Sequence, residues 1–155
     1  GIDTNKKAID VAKKHAKKSD LKINYKNLDI TKIQGQKFNL ITCMEVLEHM
    51  EYPAEIIAKS HELLEKNGIF LGSTINKTIS SYVFAIIGAE KIAKLIPEGT
   101  HEWKKLIKPN YLKKLFFINN FYNFNKHGIL YNPITNNWSY SIFSNINYFF
   151  SASKS

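Results

Sequence analysis

Phe38-Asn39-Leu40-Ile41-Thr42-Cys43-Met44-Glu45-Val46-Leu47-Glu48-His49 is the stretch from which the rest of the chain can be read. Its first six residues form a mostly apolar run, as expected of a strand buried on both faces. The residues after it turn polar at once. Ligands in open α/β sheets bind at the carboxyl ends of strands, so Met44 to His49 fall where a ligand would sit. If the segment turns helical, Glu45, Glu48 and His49 stand at i, i+3 and i+4 and share one face. Two carboxylates and an imidazole on one face can hold a divalent cation. Hard oxygens suit Mg2+ or Mn2+, while the imidazole also admits Zn2+. A solvated helix face with one incidental histidine gives the same spacing.

Working outward, strands and helices alternate. Residues 4–18 read as a helix, with Thr4 or Asn5 as its cap and Ile9, Val11, Ala12 and Ala16 as its apolar face. Residues 21–25 alternate as a short strand. On the far side, Pro53 suits the first turn of a helix, and Ile56, Ile57, Leu63 and Leu64 recur at helical spacing. Asn67-Gly68 supplies a left-handed stop, and Ile69-Phe70-Leu71-Gly72-Ser73-Thr74 is another buried strand. Such alternation implies parallel pairing with right-handed crossovers.

The second half differs. Residues 79–96 read as an apolar helix charged only at Glu90, Lys91 and Lys94. Pro109 can start another, running through Leu112, Leu115 and Phe116. Residues 121–131 and 145–152 look like two strands of a long-looped antiparallel pair. No linker rich in Pro, Gly or Ser interrupts the chain, so one domain over residues 1–155 is expected.

Composition sets outer bounds. The chain has 155 residues, 44% hydrophobic and 13% aromatic, enough for a real core. All 22 basic residues are lysine, and the net charge is +9. That charge draws the chain toward anionic surfaces such as phospholipid headgroups. Nucleic acid is not an expected partner, because no arginine fork exists for bidentate contacts. Part of the charge is attributable to AT-biased codon usage, since Asn, Ile, Lys, Phe and Tyr are all abundant. One cysteine, Cys43, excludes an internal disulfide and fits a reducing cytosol. No signal-peptide pattern opens the chain, and no run of about 18 apolar residues occurs.

Gly1-Ile2-Asp3 reads as the tail of a buried strand. In dinucleotide-type folds an acidic residue at the end of the second strand accepts hydrogen bonds from ribose hydroxyls, so Asp3 is a candidate for that contact. Its two acceptor oxygens suit two vicinal hydroxyls. An exposed strand-end aspartate would look the same.

Thr42-Cys43-Met44-Glu45-Val46-Leu47-Glu48-His49 resembles the post-strand motif of class I S-adenosylmethionine-dependent methyltransferases, in the form used by ubiquinone-biosynthesis O-methyltransferases. Asn67-Gly68-Ile69-Phe70-Leu71-Gly72-Ser73-Thr74-Ile75-Asn76 looks like that family's fifth strand with its Ser-Thr-x-Asn ending. Gly88-Ala89-Glu90 and Ile96-Pro97-Glu98-Gly99-Thr100-His101-Glu102-Trp103 look like its insertion. Gly128-Ile129-Leu130-Tyr131-Asn132-Pro133 matches its Gly-Leu-x-Tyr-Asn-Pro signature.

The resemblance implies an α/β, Rossmann-like class I methyltransferase sheet with a terminal antiparallel strand pair, a helical insertion at about 77–108, and no first strand or glycine-rich loop. With that strand missing, the Asp3 strand is expected to stand apart from the rest of the sheet. The chain alone is then expected to fold poorly. Asp3 would bind the ribose of S-adenosylmethionine, Met44 would line the cofactor pocket, and Asp29 and Ile30 would flank the adenine. Glu45, Glu48 and His49 would match the divalent-metal ligands, with Mg2+ the expected ion. His49 is also the candidate catalytic base should no metal take part. Tyr131, Trp103 and the aromatics from Phe116 to Phe124 are candidates to line a pocket.

The implied reaction is O-methylation of ring hydroxyls of polyprenylated phenol or catechol intermediates in ubiquinone biosynthesis. Implied partners are that substrate, an anionic phospholipid surface and other quinone-biosynthesis enzymes. The implied location is cytoplasmic, peripheral on the inner face of the bacterial inner membrane or on the mitochondrial inner membrane. Two other readings fit the same residues: a metal-independent small-molecule methyltransferase, and an inactive fragment serving as a membrane-binding or structural module.

Overall fold

In the computed structural model, residues 1–78, 81, 105–132 and 135–155 are described. The expected helix at 79–96, most of the 77–108 insertion and Trp103 lie outside them. So does the side chain of Tyr131. The chain divides into two compact units, Gly1–Gln36 and Lys37–Ser155.

In the first unit, β1 (Ile2–Asp3) and β2 (Lys26–Asn27) pair in parallel, in a two-stranded sheet of their own. Helix α1 (Lys6–Lys18) connects them. Asn5 caps it, its side chain accepting from the N–H groups of Lys7 at 2.9 Å and Ala8 at 3.3 Å. Ile9 and Ala16 are buried, but Val11 is exposed. Two positions beyond Ile9, Val11 sits roughly 200° around the helix and cannot join the inward stripe. The strand expected at 21–25 is not formed there. Leu21 and Ile23 are exposed, and pairing begins only at Lys26, opposite Ile2.

The second unit holds a five-stranded sheet in the order β3-β4-β7-β5-β6. Its strands are β3 (Phe38–Met44), β4 (Leu64–Ile75), β5 (Phe121–Asn132), β6 (Asn137–Ser141) and β7 (Asn147–Lys154). β3 and β4 run parallel, joined through α2 (Pro53–Leu63), which has Pro53 in its first turn. The terminal strands are antiparallel, with β7 lying between β4 and β5. Helix α3 (Pro109–Ile118) also begins on a proline.

Three expectations change here. β3 was expected to be buried on both faces, yet Leu40 is exposed and only Cys43 is buried in it. Among the described residues the strand is at the sheet edge and pairs with β4 alone. The Asn67-Gly68 stop does not end α2, because Leu64 already begins β4. Instead Asn67 takes a left-handed φ of 61° inside a bulge, and the register jumps from Phe38↔Leu64 to Leu40↔Ile69. The long loop between β5 and β7 contains β6, a strand the sequence pattern did not announce. Gly128 on β5 has no room for a side chain, because the Phe143 carbonyl occupies that place.

The core lies between this sheet and the two helices. Phe70 meets Phe116 edge to face at 5.0 Å, and Phe116 meets Phe121 at 4.9 Å. Phe150 stacks on Phe70. Leu47, Ile57, Leu64 and Leu112 are fully buried beside them. Each such side chain contributes about 1.5–3 kcal/mol of hydrophobic stabilisation. Phe116 and Phe121 are therefore core, not pocket lining.

Candidate active site

The parallel pair β3–β4 sets the site. Cys43 pairs with Gly72 and Met44 with Ser73, so both strands end at the same level. Glu45 continues the ladder by one bond, its N–H donating to the Ser73 carbonyl at 3.1 Å. It then takes a φ of 51°, left-handed for a non-glycine residue. Such a conformation costs about 1–3 kcal/mol and persists only where neighbours enforce it. Here it breaks the strand and throws the chain into a single 3-10 turn, Leu47–His49. Leu47, with no exposed surface, anchors that turn in the core.

This geometry corrects the helical reading of the motif. Glu45 lies outside the turn, and the turn is too short to carry an i, i+3, i+4 face. Glu45 and Glu48 nonetheless come together. Ser73 Oγ donates to Glu45 Oε1 at 2.6 Å, and Thr74 Oγ1 donates to Glu48 Oε2 at 2.8 Å. Glu48 is 2% exposed and its Oε1 is buried with no hydrogen-bond partner. Two carboxylates have no hydrogen to share while both are ionised. Oε1 can therefore meet Glu45 only through a retained proton. Burial first, and the Glu45 charge second, push the Glu48 carboxyl up to about 7. Near neutrality Glu48 is therefore protonated about half of the time.

The two charges reach further. The Cys43 thiol is pushed up to about 12 by burial and then by Glu48. Burial, then Glu48 and Glu45, raise the Tyr148 phenol, whose hydroxyl donates to the Ile107 carbonyl at 3.0 Å. Met44, the last residue of β3, is exposed at its carboxyl end, and so is His49. Among the described residues, no group of three or more His, Cys, Asp or Glu side chains is gathered to hold a metal ion. Glu45 and Glu48 are brought together; a ligand set including His49 is not.

In the first unit, Asp3 ends β1, and Asp29 and Ile30 follow β2, so all three lie at the carboxyl ends of adjacent parallel strands. Asp3 Oδ1 accepts from the Asn5 N–H at 2.7 Å. The Asp3 carbonyl takes the Asn27 side chain at 2.8 Å. Asp29 caps the turn Ile30–Lys32, accepting from the Thr31 N–H at 2.8 Å and hydroxyl at 2.7 Å. Those two bonds hold its carboxyl below the usual range.

Sequence reasoning assigned no role to Ser73 and Thr74. They stand 28 and 26 residues from their carboxylate partners. The signal was present in the Ser-Thr-x-Asn ending of β4, but its meaning depended on the β3–β4 register.

The architecture is an α/β, Rossmann-like sheet of the class I methyltransferase type. A magnesium protoporphyrin IX methyltransferase from Synechocystis superposes with a TM-score of 0.68 at 19% identity, covering 100% of this chain and 63% of that one. A methyltransferase from Methanosarcina mazei gives a TM-score of 0.68 at 17% identity, covering 99% and 80%. Residues 1–126 match the family described as "Methyltransferase domain", and the chain belongs to that family. The chain is similar to a ubiquinone biosynthesis O-methyltransferase of Pelagibacter ubique, 44% identical over 96% of this chain and 62% of that protein. The corresponding protein of Paraburkholderia xenovorans is 33% identical over 96% of this chain and 65% of its own length. The chain thus spans somewhat less than two thirds of these relatives.

Proposed function

We propose that the protein is an S-adenosylmethionine-dependent O-methyltransferase acting on a ring hydroxyl of a polyprenylated phenol or catechol in ubiquinone biosynthesis. The observation that carries this is the buried Glu48, paired with Glu45 at the carboxyl end of β3 and holding an oxygen without a partner. The identity with the ubiquinone biosynthesis O-methyltransferases supports it over nearly the whole chain.

Methyl transfer from a sulfonium is an in-line displacement in which the protein mainly aligns two reactants. In this reading Asp3 holds the ribose, Asp29 and Ile30 flank the adenine, and Met44 lines the cofactor pocket. A ring hydroxyl attacks well only after losing its proton. His49, exposed and next in sequence to Glu48, is the residue proposed to receive it. The Glu45–Glu48 carboxylates supply negative charge in this reading.

The residues meet a divalent cation in part. Carboxylate oxygens suit Mg2+, and Glu48 Oε1 is a buried acceptor awaiting a partner. Glu45 and Glu48, with His49, are the residues proposed to hold it. Bound there, an ion would lower the phenol pKa. Peripheral contact with an anionic membrane surface is proposed from the lysine charge, with other quinone-biosynthesis enzymes as neighbours.

The test is methyl transfer from S-adenosylmethionine to a polyprenylated catechol by the full-length protein, alongside calorimetry with S-adenosylhomocysteine. Binding and transfer are expected. Neither binding nor transfer would overturn the reading. Activity indifferent to EDTA and to added Mg2+ would remove the cation from it. Liposome binding unchanged by deletion of residues 79–96 would remove that segment from the membrane contact.

A further inference from the structure

We propose that the crossover between β6 and β7 is a lipid-docking tip, in which Ile142 and Phe143, with Tyr140 beside them, enter the interface of an anionic bilayer. This rests on the membrane contact proposed above and names the element that makes it. Strands β6 and β7 flank β5 on opposite edges, Ser141 pairing with Gly128 and Asn147 with Ile129. Residues 142–146 therefore pass over β5. They do so at Gly128, where the Phe143 carbonyl fills the room a side chain would need. The crossing backbone is tied down. The Asn76 side-chain amide donates to the Ser144 carbonyl at 2.6 Å, and the Asn76 N–H to the Ile146 carbonyl at 2.8 Å. Lys126 Nζ donates to Ser144 Oγ at 2.8 Å, and the Thr78 hydroxyl to the Asn145 carbonyl.

The side chains do the opposite. Ile142 is 88% exposed, Tyr140 81% and Phe143 64%. A loose loop is free to fold such residues back onto the sheet, whereas this bonded backbone holds them out. Large apolar side chains that cluster in water mark a surface for lipid or for a partner. Charge selects between these occupants. Residues 103–155 contain seven lysines and no acidic side chain. Lys126 bonds the crossover directly, and Lys77 stands between Asn76 and Thr78, which both bond it. An apolar tip set among lysines matches an anionic lipid interface, where lysines meet headgroups and apolar side chains reach the acyl boundary. A second copy of this chain would bring lysine against lysine. Asn76 also follows β4 directly, two residues after Thr74, which bonds Glu48. A bilayer at the tip thus meets the same end of the sheet as the acidic pair, which suits a substrate with an apolar polyprenyl tail.

The experiment is vesicle co-sedimentation with the full-length protein: wild type, the double variant Ile142→Ser with Phe143→Ser, and Phe117→Ser. Phe117 is 77% exposed but lies in α3 near the start of β5, at the other end of the sheet. Vesicles are phosphatidylcholine alone, or an equal mixture of phosphatidylcholine and phosphatidylglycerol. Wild type and Phe117→Ser are expected to sediment with the anionic vesicles and far less with phosphatidylcholine alone. The double variant should bind the anionic vesicles about tenfold more weakly or worse. Its melting temperature should match wild type, because both side chains it replaces face water.

A folded double variant that binds like wild type overturns the proposal, as does a Phe117→Ser variant that loses as much binding as the double variant. If the double variant does not fold, Tyr140→Ser decides the matter, with binding about threefold weaker expected and unchanged binding overturning it. A wild-type dimer that the double variant disperses in light scattering, with vesicle binding unchanged, assigns the tip to a second copy and overturns the proposal too. Wild-type protein that ignores both vesicles overturns it together with the membrane contact proposed above, while methyl transfer judges the enzyme reading separately.

Discussion

The Phe150 ring lies directly against Gly72 of the neighbouring strand, with Cε1 2.9 Å from the place where a Cβ would stand and the Cys43 carbonyl oxygen 2.9 Å from it on the other side. The glycine lets an aromatic ring from β7 cross β4 one residue before the hydroxyls that hold the carboxylates. Gly72→Ala is expected to cost about 2 kcal/mol through overpacking. Denaturant unfolding of the full-length protein should show it. Adding Phe150→Leu should recover part of the loss, because the ring is what the new methyl group strikes.

The raised Glu48 carboxyl makes stability depend on pH. Its usual value is 4.5 and its folded value about 7. The contribution of the protonated form is complete below 4.5 and is lost as pH rises through 7. The difference across that window is roughly 3 kcal/mol. Glu48→Gln should flatten this slope and make the protein more stable than wild type above pH 7. Melting curves at pH 5 and pH 8 would check it; equal slopes in the two proteins would contradict it.

Asn5 caps α1 with two side-chain bonds. Asn5→Ala should cost about 1 kcal/mol. Amide exchange within Lys6–Lys18 reads the effect locally, and it should quicken there first.

Asp3→Asn keeps the shape of the side chain and its acceptor for the Asn5 N–H but removes the charge. If Asp3 holds the ribose, S-adenosylhomocysteine should bind about tenfold more weakly to the variant. Calorimetry on the full-length protein measures this directly, and unchanged affinity would move the ribose contact elsewhere.

With its thiol pushed up to about 12, buried Cys43 should be inert to thiol reagents at pH 8. Reactivity should appear in step with unfolding in denaturant.

Much of the framework was legible because it follows from short-range rules. Pro53 and Pro109 open helices where expected, Asn5 caps α1, and the apolar run at 38 does become a strand. What was hidden depended on long-range register. Leu21, Ile23 and Tyr25 alternate like a strand, yet pairing with β1 begins one residue later. Asn67-Gly68 reads equally well as a helix stop or a strand bulge, and only the pairing of Phe38 with Leu64 distinguishes them. The spacing of Glu45, Glu48 and His49 is compatible with a helix, and spacing says nothing of the left-handed turn at Glu45. Residues with opposing claims on the same positions, such as Thr74, become interpretable only beside their partners.

The place of β7 in the sheet has a consequence for how the protein is made. Asn147–Lys154 bonds to β4 on one side and to β5 on the other. Ribosomes deliver this segment after both neighbours, so each of those strands waits with an open flank until it arrives. Most contacts that complete the core therefore join points distant along the chain, which slows folding. The hydroxyls of β4 and the carboxylates they hold are then set only after Asn147–Lys154 has been made, when the insertion of β7 brings Phe150 against Gly72. Glu48, buried beside the exposed Glu45, therefore gains its finished surroundings only once Asn147–Lys154 is in place.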